Sequence, residues 1–180
     1  SARGGPAALV GAWLLAAAAM ACGPRADAGT GDTRAPGAGP SALSERVGQV
    51  LELSVPLVGG GQQGLAELRG RPVLLELGDA GVRERDAAQQ RWRALVQREG
   101  DAVAVVCVAM DADANALPAS WIDDPPPFVL GWDPQGAIAA RLQARVLPTV
   151  VLLDASGVIV SVHEGALPDD ATIERWSRGE

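Results

Sequence analysis

The sequence has no tyrosine, one phenylalanine, one histidine and two cysteines in 180 residues. Without tyrosine, the large packing units outside the N-terminal segment are Trp92, Trp121, Trp132, Trp176 and Phe128. The lone histidine, His163, has no ligand partners near it in sequence, so a metal site of the usual zinc spacing cannot be drawn. Asp111, Asp113 and Asp124 lack the spacing of a calcium loop and read as a solvated rim. A basic stripe is also missing. The formal charge is −7, and the arginines between Arg83 and Arg98 alternate with Glu84, Asp86 and Glu99. Phosphate recognition needs clustered cations, which argues against a nucleic-acid partner. The glycine-rich stretch Gly59-Gly60-Gly61-Gln62-Gln63-Gly64 lacks the Lys-Ser/Thr of a P-loop and reads as a turn.

Nor does any apolar run reach the roughly 20 residues of a permanent membrane span. The longest, residues 7–21, follows Arg3 and ends at Cys22, which suits the h-region of a secretory signal. Ala19-Met20-Ala21-Cys22 resembles a bacterial lipobox. The expectation is a lipoprotein-type signal peptide over 1–21, with plain secretion and an uncleaved anchor as alternatives. The lipobox resemblance implies acylation of Cys22 and several lipid chains, enough for stable anchoring. Cys107 would then be the only thiol left, and no intramolecular disulfide could form. Residues 22–43 are rich in Gly, Ala and Pro without apolar periodicity, the composition of a tether. At about 5–6 Å × √n, such a segment reaches roughly 25 Å. A folded domain is expected over 44–180.

With 48% hydrophobic and 21% charged residues, an ordinary core is within reach. The alternation Val50, Leu51, Leu53, Val55, Leu57 predicts a strand from Val47, with Pro56 suited to an edge. Val73–Leu77 is apolar except for Glu76, as in a strand covered on both faces. A helix is expected over 82–99, with Ala88, Trp92 and Leu95 on one face, then a second buried strand over Asp101–Met110 that contains Cys107. Strand, helix, strand implies a parallel pair. Pro125-Pro126-Pro127 breaks any helix ahead of Phe128–Trp132. A helix over Ala137–Arg145, a strand over Leu147–Leu153, a turn at Asp154-Ala-Ser-Gly157, a strand over Val158–His163 and a closing helix capped by Asp169 or Asp170 complete the chain.

Two segments carry a family resemblance. Leu65-Ala-Glu-Leu-Arg-Gly-Arg-Pro72, leading into Val73, and Val146-Leu147-Pro148-Thr149, followed by Val-Val-Leu-Leu-Asp-Ala-Ser-Gly, resemble the thioredoxin-like superfamily in its membrane-tethered TlpA and redoxin branch. Together with the element order, the resemblance spans roughly 47–178. It implies an α/β fold with a central mixed sheet flanked by helices, an N-terminal β-hairpin extension and a cis Leu147–Pro148 bond. In that family the loop after the first central strand ends in Trp-Cys-x-x-Cys. The matching positions here hold Val82 and Arg85.

In active relatives a thiolate at a helix N-terminus attacks a disulfide, and the second cysteine resolves the intermediate. Val82 cannot ionise and Arg85 is no nucleophile, so dithiol exchange at this place is chemically excluded. Glu76 stands where the family keeps a buried acid, and an ion pair between Glu76 and Arg85 is one expectation, an Arg85 turned into solvent the other. The reading is a cell-envelope lipoprotein, in the periplasm or on the cell surface. Its redox-inactive domain would bind a protein or peptide without cofactor or metal, through Gly78, Asp79, Ala80, Gly81, Leu147, Pro148 and Thr149. That mode is strand-like docking, which requires no cysteine. The alternative is a thiol enzyme or peroxide-responsive protein using Cys107, which the apolar context of that residue instead marks as core.

Overall fold

The computed structural model describes residues 41–79, 83–111, 113 and 125–180, leaving aside the side chains of 83–86. The expected signal peptide, Cys22, most of the tether, Ala80, Gly81, Val82, Trp121, Asp124 and the side chain of Arg85 lie outside the described residues. The strands are β1 (Ser54–Pro56), β2 (Gln62–Gly64), β3 (Val73–Gly78), β4 (Ala104–Ala109), β5 (Val129–Trp132), β6 (Thr149–Leu153) and β7 (Ile159–Glu164). The helices are α1 (Arg83–Glu99), α2 (Ala137–Leu142) and α3 (Asp170–Ser177).

One five-stranded sheet runs in the order β5-β4-β3-β6-β7. β3 is parallel to β4, and β4 to β5. β6 runs antiparallel to both β3 and β7, which makes the sheet mixed. Every residue of the three interior strands is buried, which is why their sequences are almost continuously apolar. Alternation along β3 sends Leu75 and Leu77 to one face and Leu74 and Glu76 to the other. The Leu75 face meets Leu43, Leu51, Leu53 and Val55 of the N-terminal segment and Ile138 and Leu142 of α2. The Leu74 face meets Ala88, Trp92 and Leu95 of α1 and Ile173 and Trp176 of α3.

β1 and β2 form a separate antiparallel hairpin, the expected N-terminal extension. The segment leading into it is a strap across the sheet. Gly48 N–H donates to Ile159 O, Ile159 N–H to Gln49 O and Leu51 N–H to Gly157 O, covering the start of the β7 edge. At the opposite edge Val58 N–H donates to Leu130 O, and Leu57 bridges Gly131. Leu51, Leu53 and Val55 are buried while Glu52, Ser54 and Pro56 are exposed, the alternation read from the sequence. Each such side chain contributes about 1.5–3 kcal/mol by leaving water. Val47 and Val50, included in the expected strand, are instead exposed, because there the chain runs along the sheet edge and only the odd positions from Leu51 turn inward.

Other boundaries shift for local reasons. β4 begins at Ala104 rather than Asp101 because Gly100–Ala102 forms a 3-10 turn. α2 stops at Leu142, three residues early, because Gln143 adopts a left-handed conformation (φ 57°) and its N–H closes back on Ala140 O. At α3 the Asp169 side chain accepts from Thr172 N–H at 2.6 Å, the expected cap. Asp154 orders the β6–β7 turn. Burial would raise its pKa, but the Ser156 hydroxyl and the Val158, Ser156 and Gly157 amides outweigh this and hold it below the usual carboxylate value.

Candidate functional site

The chain leaves β3 at the end of the sheet where it enters β6. Leu77 lies opposite Thr149 in the antiparallel register, so the end of β3 at Gly78 and the Leu147–Pro148 segment lie beside each other. The Leu147–Pro148 bond is cis. Two hydrogen bonds hold this segment: Thr149 Oγ1 donates to Val146 O at 2.5 Å, and Gly165 N–H donates to Pro148 O at 2.8 Å. Val146 is 51% exposed, and Leu147 and Pro148 are half-buried. Thr149 is fully buried and Gly78 is buried, so their contribution to the rim is through position; Asp79 is exposed. Register thus brings Gly78, Asp79, Leu147, Pro148 and Thr149 together, while Ala80 and Gly81 fall outside the described residues.

Beneath this rim sits a polar cluster in the Leu74 face. Parallel pairing sets Glu76 of β3 directly beside Cys107 of β4, and α1 lays Trp92 over both. Trp92 Nε1–H donates to Glu76 Oε2 at 2.6 Å, and Cys107 Sγ–H donates to the same oxygen at 3.3 Å. Exposure is 4% at Glu76, 0% at Trp92 and 1% at Cys107. A buried carboxyl without partners would cost about 1–3 kcal/mol, and these two donors offset part of that cost at Oε2. The two alternatives for Arg85, an ion pair with Glu76 or a side chain turned into solvent, fall outside the described residues; the Glu76 contacts that are described are those with Trp92 and Cys107. Outside the cluster, Arg91 stacks 5.4 Å from the Trp92 ring and reaches α3 through Asp170 (2.6 Å) and Pro168 O (2.5 Å), fixing α1.

Asp133, 4% exposed, is a structural residue that the sequence reading passed over. Its carboxylate accepts from Ala137 N–H (2.9 Å) and Ile138 N–H (2.6 Å), satisfying the first turn of α2 from three residues before its N-cap, Gly136. The available signal was the Asp-Pro-Gln-Gly run ahead of a helix.

The chemistry open to these groups is narrow. No group of three or more His, Cys, Asp or Glu suited to a metal exists among the described residues. His163, on β7 opposite Val150, lies 3.2 Å from Ser161 Oγ. Desolvation lowers its pKa from 6.5, and Asp169 opposes this. The folded state therefore favours neutral imidazole. That contribution is present above 6.5 and lost as pH falls below it, where the unfolded chain binds the proton more readily. Between about pH 7.5 and 5, the melting temperature of His163→Gln should fall less than that of the parent. Equal slopes would show that His163 carries none of the acid sensitivity.

No protein-family model and no curated protein sequence matches the chain. Solved structures do. A thiol-disulfide oxidoreductase from Bacteroides fragilis superposes with a TM-score of 0.60 at 18% identity, covering 73% of this chain and 98% of that one. A secreted Mycobacterium tuberculosis disulfide oxidoreductase homologous to DsbE of E. coli gives 0.59 at 19%, covering 71% and 96%. The exposed lipoprotein thioredoxin of Streptococcus pneumoniae gives 0.57 at 19%, covering 71% and 99%. The fold is thioredoxin-like, with the mixed five-stranded sheet and flanking helices that the sequence resemblance implied. Two of these neighbours are described as secreted or exposed. Among the described residues no helix is long and apolar enough to cross a membrane.

Proposed function

We propose that this chain is a cell-envelope lipoprotein, tethered through Cys22, whose thioredoxin-like domain is redox-silent and binds an extended polypeptide segment beside Leu147–Pro148. One observation carries the reading: Cys107, the only other cysteine in the sequence besides Cys22, is 1% exposed and turned onto Glu76, while the family resemblance assigns the dithiol positions to Val82 and Arg85. Reactive cysteines are partly exposed and electropositive in setting, and Cys107 is neither open to solvent nor placed at a helix N-terminus. What the site retains is a pinned backbone segment with Val146 standing clear of the surface, a geometry suited to strand-like docking.

The test uses the full chain carrying Cys22→Ser, so that Cys107 is its only thiol. Disulfide reduction and peroxide consumption should both be at background, and a thiol reagent should leave the folded protein unlabelled. Turnover that disappears on further replacing Cys107 with Ser would make Cys107 the active site and end this reading. A photocrosslinking group at Val146 should capture a polypeptide in envelope preparations. Equal capture from Val160, an exposed valine away from the rim, would remove the docking site. The tether has its own test: the parent chain should fractionate with membranes and Cys22→Ser should not. Membrane retention of Cys22→Ser would rule out lipidation as the anchor.

A further inference from the structure

We draw no further inference here: the strongest candidate, the cavity of about 640 Å³ between the Asp154–Gly157 turn, β7 and α3, is lined by Arg175 as well as by Asp154 and Glu180, so that no ligand charge is selected, and nothing in the structure shows what covers it.

Discussion

Trp92→Ala should destabilise the domain by about 3–5 kcal/mol, a large share of the 5–15 kcal/mol typical of a whole domain. Two losses combine. The indole is fully buried between α1 and the sheet, so its removal opens a cavity among Leu74, Val105 and Val150. It is also the closer of the two donors to Glu76, at 2.6 Å, and its loss leaves that oxygen with the weak thiol donor of Cys107. The two parts can be separated. Trp92→Phe keeps most of the apolar volume and removes the donor, and it should cost about 1–3 kcal/mol. In a Glu76→Leu background the same Trp92→Phe change should cost less, because no carboxyl remains to be left unsatisfied. Chemical denaturation of the four proteins measures the coupling. A coupling of zero would mean that the Glu76–Trp92 hydrogen bond does nothing for stability, and that the cluster is held by packing alone.

This cluster also marks where legibility in the sequence stopped. Residues whose burial follows from local period were readable: Ala88, Trp92 and Leu95 at helical spacing, Leu51, Leu53 and Val55 in alternation, and the continuous runs of β3 and β4 all lie in the core. The Glu76–Cys107 contact was not readable, because it depends on the register of two parallel strands, and nothing in either strand specifies that register before they pair. The link from Arg91 to Asp170 joins residues far apart in the chain, with no local pattern to announce it. Asp133 shows a different limit. Helix-start reasoning looks for a cap at the residue before the first turn, and here that position is Gly136, with the carboxylate reaching in from farther back. At the candidate site, the order of elements and the Val146–Thr149 motif pointed to the end of β3 and Pro148 as neighbours, and the β3–β6 register sets Gly78 there. They could not foresee that Thr149 would spend its hydroxyl on Val146 O.

Gly131→Ala should cost about 1–3 kcal/mol and loosen the strap from the β5 edge. A Cβ at Gly131 would overlap Val55 Cγ1 and come within 3.2 Å of Val108 Cγ2 and 3.3 Å of Pro56 O. None of these neighbours yields easily. Val55 and Val108 are fully buried, and the Pro56 carbonyl is backbone in β1. The strand must therefore back away or the strap must lift, and the strap is the weaker party, since Leu57 and Val58 hold this edge by one bridge and one hydrogen bond. Amide exchange at Val58 should accelerate in Gly131→Ala by more than at Gly48 or Leu51, which grip the far edge through Ile159 and Gly157. A size exchange tests the cause: Gly131→Ala in a Val55→Ala background should cost less than in the parent, because the methyl that is added fills space the valine has vacated. Strictly additive costs would assign the effect to strand flexibility rather than to this contact. Uniform acceleration across the domain would show that strap and sheet open as one unit.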